Sequence, residues 1–207
     1  IATNLPVIIS TGTATEKELK ATLEFVDQLK ATNRVIILHC VSAYPAPARD
    51  SNLRTMEEIS SKFGVLTGLS DHTLGTSTSV AAAALGAVVI EKHITLNRED
   101  GGPDSSFSLE PQELKNMCTD VKDAWDSLGN ISYGGDTNLI KKGIFTRQLW
   151  ACENIALGDK FSWTNVRSIR APSNSGGITP MRYKDLIGKR ALLNIEKDSP
   201  IQEGYFK

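Results

Sequence analysis

Three residues form the densest chemical cluster in the chain: His72, Glu91 and His93. Each histidine closely follows a short apolar run, so neighbouring strands could bring the two imidazoles side by side. Neutral imidazole ligates Mn, Fe or Zn. Two such ligands leave room for water and substrate oxygens, as a Lewis-acid site requires. Two hydrogen-bonded structural histidines give the same pattern, and pattern alone does not choose. Glu91 precedes His93 by two residues and shares its strand face if the strand continues. A carboxylate there could orient a hydroxyl or accept a proton, or be a salt-bridged side chain. His39 lies nearer a strand body and reads as a satisfied structural histidine. Ser10 and Ser70, each beside a glycine (Gly12, Gly68), could hold a phosphate, with help from a helix N-terminus; ordinary capping is the commoner fate of such serines. Asp104 in Gly101-Gly102-Pro103-Asp104 is a turn residue that could project into a site. Tyr44 leads the stiff loop Tyr44-Pro45-Ala46-Pro47. Arg167 and Arg170 suit a carboxylate or phosphate or a solvated surface.

These residues need a scaffold that collects strand ends. Four β-branched runs occur: Val7-Ile8-Ile9, Val35-Ile36-Ile37-Leu38, Val65-Leu66 and Val88-Val89-Ile90. Helical patterns alternate with them. Thr15-Glu16-Lys17-Glu18 is a capping box, after which Leu19, Leu23, Val26 and Leu29 recur at helical spacing. Further helices are predicted over 52–63, over 76–85 and after Pro111, the last carrying Leu114, Met117, Val121, Trp125 and Leu128. This alternation predicts α/β architecture with a parallel sheet, and the continuous apolar runs predict burial on both faces. Polar residues gather where each run ends, the place where a (β/α)8 barrel or an open α/β sheet builds its site. Four units are half of such a barrel.

The domain organisation read from the chain is a partial barrel over 1–128, a linker over 129–146 and a small β-rich domain over 147–207, with a turn at Leu157-Gly158-Asp159 and a loop from Pro172 to Gly177. Charge divides similarly. Residues 1–140 carry 11 Lys and Arg against 18 Asp and Glu, and residues 141–207 carry 12 against 6. With 40% hydrophobic and 23% charged residues over 207 positions, the chain is of globular composition rather than disordered or fibrous. No run of about 18 apolar residues is present, so no membrane partner is expected. Neither Gly-x-Gly-x-x-Gly nor a P-loop occurs, and the basic segment lacks the interleaved aromatics of a nucleic-acid binder, so no nucleic-acid partner is expected either. Three scattered cysteines, Cys40, Cys118 and Cys152, fit no metal or disulfide spacing, and without a secretory signal the expected location is cytoplasmic. The first residue, Ile1, suggests a processed chain or a fragment.

Several segments together resemble the sialic acid synthase family, the phosphoenolpyruvate-dependent synthases of nonulosonic acids. They are Ile8–Gly12, His39–Pro45, Gly68–Gly75, Ala84–His93, Gly102–Asp104 and Ser108–Pro111. Gly176–Pro180 and Leu186–Ala191 look like the antifreeze-like (SAF) domain that ends these enzymes. The resemblance implies a TIM barrel followed by a β-clip domain in a domain-swapped homodimer, with this chain matching the C-terminal half of the barrel. The family's first four units, which bring a catalytic glutamate and the lysines that grip phosphoenolpyruvate, have no counterpart here. By resemblance, His72 and His93 hold a divalent metal, typically Mn, with Mg or Co as alternatives. Ser10 and Ser70 bind the phosphate of phosphoenolpyruvate, Tyr44 positions the substrates, and Glu91 and Asp104 contact the amino sugar. Arg170 falls near where the SAF domain sends an Arg into the partner subunit's site. The implied reaction condenses phosphoenolpyruvate with an N-acetylhexosamine, either N-acetylmannosamine or a 2,4-diacetamido-trideoxyhexose. Alternatives are another phosphoenolpyruvate-using barrel, and a non-catalytic fragment or carbohydrate-binding scaffold.

Overall fold

A computed structural model describes residues 4–133, 146–172 and 175–207. The chain divides into two units, 1–130 and 131–207. In the first, β1 (Val7–Ser10), β2 (Val35–Cys40), β3 (Leu66–Asp71) and β4 (Ile90–Lys92) form one sheet in sequential order. All three pairings are parallel. Parallel neighbours need a crossover, and α1 (Glu16–Gln28), α2 (Arg54–Phe63) and α3 (Ser77–Ala84) supply it. α4 (Pro111–Leu128) follows β4.

Local signals explain the helix ends. The capping box at Thr15 forms as predicted: Thr15 Oγ1 accepts from the Glu18 amide at 3.4 Å, and Glu18 Oε2 accepts from the Thr15 amide at 2.8 Å. α2 stops at Gly64, whose φ of +65° is the left-handed conformation that glycine adopts without penalty. Leu19, Leu23, Val26 and Ile59 then pack against Val35, Ile37 and Val65. Met56 and Ala82 pack with Leu69 and Ala87. These strand residues alternate along β2 and β3, so the helices cover one face of the sheet.

The other face is open among the described residues. Ile8, Ile36 and Leu66 lie on one cross-strand rung, and Ile8 and Leu66 are 51% and 53% exposed. The helices occupy the opposite side. The strands also extend beyond the apolar runs. Pairing continues through Cys40, Ser70 and Glu91, so His39, Cys40, Ser70, Asp71, Glu91 and Lys92 are strand residues rather than loop residues. In α4 only Met117 is buried, while Trp125 and Leu128 stay half exposed.

The second unit is β-rich with little helix, as predicted. β5 (Arg147–Ala151) pairs antiparallel with β6 (Val166–Arg170), and α5 (Tyr183–Leu186) is one turn long. Its core gathers Leu149, Ile155, Phe161, Val166, Leu186 and Ile195 with smaller neighbours. An internal near-repeat holds it together. Ile155 and Ile195 exchange backbone hydrogen bonds of 2.9 and 2.8 Å. Asn194 Oδ1 accepts from the Leu157 amide and Asn154 Oδ1 from the Lys197 amide, both at 2.8 Å. The twice-used Asn-Ile pair was a signal in the sequence that pattern reading passed over. The turn at Leu157-Gly158 forms. Of the predicted linker, residues 134–145 lie outside the described residues, as do 173 and 174 of the Pro172–Gly177 loop.

Candidate active site

Alternation along β3 and β4 sends Ser70 and Glu91 to the open face at the same rung. Ser70 Oγ donates to Glu91 Oε1 at 2.6 Å. His72 and His93 follow two residues later. Their ring centroids lie 5.1 Å apart at an interplanar angle of 71°. Tyr44, from the loop after β2, lies with its ring centroid 4.2 Å from that of His72 and 6.0 Å from that of His93. Asp104 Oδ2 approaches His93 Nδ1 at 3.6 Å. Four of the predicted residues therefore converge, Tyr44, His72, His93 and Asp104, and two more, Ser70 and Glu91, pair two residues before the histidines in the same strands.

The imidazoles are oriented from behind. His72 Nδ1 lies 3.1 Å from the carbonyl of Val41. A carbonyl only accepts, so Nδ1 is the donor in this contact and Nε2 is the ring nitrogen it leaves uncommitted. Phe107 closes the cluster, 5.0 Å from the ring of His93 and 6.0 Å from Tyr44. Phe107 was not predicted, although its place three residues after Asp104 was a usable hint.

Behind the histidines lies a second group that sequence reasoning missed. Lys92 Nζ meets Asp71 Oδ2 at 3.0 Å, with side chains 2% and 0% exposed. Asp71 also accepts from the Thr73 amide at 2.8 Å and from Ser79 Oγ at 2.6 Å. Lys92 Nζ donates to the Thr73 carbonyl as well. The signal was visible: each site histidine is preceded by a charged residue of opposite sign, Asp71 and Lys92.

Other predicted residues stand apart. Ser10 is the exposed last residue of β1, in register with Leu38 and hence two strands from β3. The first turn of α1 carries Glu16 and Glu18, and its capping box engages the amides of Thr15 and Glu18. The two carboxylates oppose an anion at that end of α1. Arg170 belongs to the second unit, where it ends β6 in register with Arg147. His39 is structural, as read from the sequence: its Nε2 lies 2.8 Å from the carbonyl of Ser51 and it is buried.

No group of three or more His, Cys, Asp or Glu able to hold a metal exists among the described residues. The two imidazoles nevertheless suit an open site. Two rings bound to one ion through nitrogens at about 2.1 Å place their centroids roughly 5 Å apart, close to the spacing seen here. Their further positions would fall to water and substrate.

A parallel α/β unit with polar strand ends is followed by a small β-rich unit. Residues 1–133 match the NeuB family and residues 146–204 match the SAF domain. The chain belongs to the NeuB family. It is 40% identical to a pseudaminic acid synthase of Campylobacter jejuni over 98% of its own length and 58% of that protein. It is 39% identical to the N,N'-diacetyllegionaminic acid synthase of the same species, over 97% and 60%. The chain thus spans about three-fifths of the length of these curated relatives. Among solved structures, the N-acetylneuraminic acid (sialic acid) synthetase of Leptospira borgpetersenii, crystallised with citrate, is 34% identical. It aligns with a TM-score of 0.60 over 66% of this chain and 47% of that one. Among the described residues, no helix is long and apolar enough to cross a membrane.

Proposed function

We propose that this chain forms part of a nonulosonic acid synthase that condenses phosphoenolpyruvate with an acylamino sugar. The observation that carries the reading is the convergence of His72, His93 and the Ser70–Glu91 pair on one face of adjacent strands. Membership of the NeuB family supports it. Four sequential parallel units support reading residues 4–128 as the second half of an eight-unit barrel, with the open face as its interior.

In this reading C3 of phosphoenolpyruvate attacks the aldehyde carbon of the open-chain sugar. Water adds at C2 and inorganic phosphate leaves, giving a nine-carbon 2-keto acid. A divalent metal, Mn or else Mg or Co, held by His72 and His93 would polarise the aldehyde oxygen. Tyr44 shields both imidazoles and packs against the sugar. Glu91, oriented by the Ser70 hydroxyl, holds a sugar hydroxyl or takes a proton at its free oxygen. Asp104 orients His93 and contacts the amino sugar. Ser10 and Ser70 bind the phosphate, the Ser70 hydroxyl turning its one proton from Glu91 to a phosphate oxygen once that substrate is bound, and because the first turn of α1 is acidic, the phosphate charge must be met by cations. Arg170, supplied by a partner subunit in a domain-swapped dimer, is one. The names of the Campylobacter relatives support the 2,4-diacetamido-trideoxyhexose over N-acetylmannosamine as the sugar.

The test is phosphate release from phosphoenolpyruvate with Mn and each sugar. It is run with the chain alone and with the chain joined to the preceding barrel units of a full-length relative. Release in the joined form, reduced about 10²- to 10⁴-fold by Glu91→Gln, is expected. No release with any sugar in either form overturns the synthase reading and favours a carbohydrate-binding scaffold.

A further inference from the structure

We infer that Asp71 and Lys92 are a positioning pair that sets the spacing of His72 and His93; this rests on the reading of those histidines as metal ligands. The pair occupies one rung of the β3–β4 ladder, on the helix side of the sheet. The histidines follow immediately in each strand. Lys92 Nζ is bonded to Asp71 Oδ2 at 3.0 Å and to the carbonyl of Thr73. It therefore grips the chain on both sides of His72, from the residue next to His93. Asp71 Oδ1 accepts from the Thr73 amide at 2.8 Å, tying the same two flanks together. Ser79 of α3 anchors Asp71 Oδ2 at 2.6 Å, and the His72 carbonyl accepts from the Ala46 amide at 2.9 Å. These bonds tie residues 71–73 to β4, to α3 and to the loop after β2, and leave the buried Thr73 hydroxyl without a hydrogen-bond partner among the described residues.

Stability alone does not account for this arrangement. Removing two charges from water costs about as much as their attraction returns, and an apolar pair of equal volume often holds a fold as well or better. What an apolar pair lacks is direction. Four directional bonds join residues 71, 73 and 92 to one another and to Ser79. Ligand-orienting groups of this kind typically change metal affinity by roughly 10- to 100-fold.

The experiment is a Mn²⁺ titration read by electron paramagnetic resonance, which needs neither substrate nor turnover. Four proteins are compared: the parent chain, His72→Ala/His93→Ala, Asp71→Leu/Lys92→Met and Asp71→Asn. The double histidine variant is expected to lose binding. Asp71→Leu/Lys92→Met is expected to unfold cooperatively, at a Tm lowered by the Thr73 and Ser79 groups it leaves unpaired, yet to bind Mn²⁺ about 10- to 100-fold more weakly while still fully folded, well below that Tm. That separation of affinity from stability is what a merely structural pair would not produce. Parental affinity in this folded variant overturns the inference. Should it lose its cooperative transition, Asp71→Asn decides: it keeps the size of the side chain and removes the charge partner. A several-fold loss supports the inference and unchanged affinity overturns it. No Mn²⁺ binding by the parent, or binding that the histidine variant retains, overturns the metal reading itself, an outcome distinct from failure of the positioning pair alone.

Discussion

The two faces of the four-stranded sheet are built from alternate residues of the same strands, yet they obey different rules. On the helix side, Val35, Ile37, Val65 and Leu69 are buried against α1, α2 and α3, and the one charged pair, Asp71 and Lys92, has its bonds made within the unit. On the open side, Ile8 and Leu66 remain half exposed, and Glu91, His93 and Tyr44 keep polar atoms turned to solvent. The helix side is a finished core. The open side is a surface whose apolar lower rungs and polar upper rung are arranged for something placed against them. A single strand alternation thus separates what holds the unit together from what the unit offers to a ligand.

The largest effect expected from this contrast is a difference between two truncations. Ile37, fully buried on the helix side, should cost about 2–5 kcal/mol as Ile37→Ala, because a cavity is left among α1, β2 and β3. Leu66→Ala removes a side chain that is already half in water and should cost less than about 1 kcal/mol. Urea unfolding followed by far-ultraviolet circular dichroism measures both. Equal costs would mean that the open face is covered in solution, and the contrast would fail.

A smaller effect comes from the one place where the two faces meet through the backbone. A Cβ built on Gly68 would lie 2.3 Å from the carbonyl oxygen of Val89 and 2.7 Å from Leu38 Cδ2. The first neighbour is backbone and moves only if β4 moves. Gly68→Ala should therefore destabilise by about 1–3 kcal/mol. It should also part β4 from β3, which would lower Mn²⁺ affinity with the loss of the His72–His93 spacing. An affinity unchanged in a destabilised protein would show that β4 takes its place from α4 and its loops instead.

Much of this was legible beforehand, for identifiable reasons. Crossover helices follow from 3.6-residue spacing and from a capping box whose residues all make the expected bonds. Tyr44, His72, His93 and Asp104 were legible because strand ends in a parallel sheet converge. Two things were not. Period-2 alternation within short apolar runs hides which face is covered, because valine and isoleucine occupy both. The Asp71–Lys92 pair was passed over because a charged residue beside a histidine reads as solvated unless the strand is known to continue. Strand length, rather than residue type, was the missing quantity: β3 and β4 run on through polar residues that look like loop.

The smallest predicted effect lies at the edge of the helix layer. Thr15→Ala removes the N-cap of α1 and should cost about 1 kcal/mol. The cap has a pH dependence of known sign. Hydrogen bonds from the Thr15 side chain and then from its amide hold the Glu18 carboxyl below its ordinary value. A group with a lowered folded-state pKa contributes stability that is complete above the unfolded value and is lost as pH falls through the folded one. The parent's advantage over Thr15→Ala should therefore be greatest at neutral pH and shrink in acid. It should not vanish, because the Thr15 hydroxyl still accepts from the Glu18 amide. Thermal melts of both proteins at neutral and acid pH test this. A gap independent of pH would mean that only the hydroxyl, and not the reciprocal carboxylate, holds the start of α1 in place.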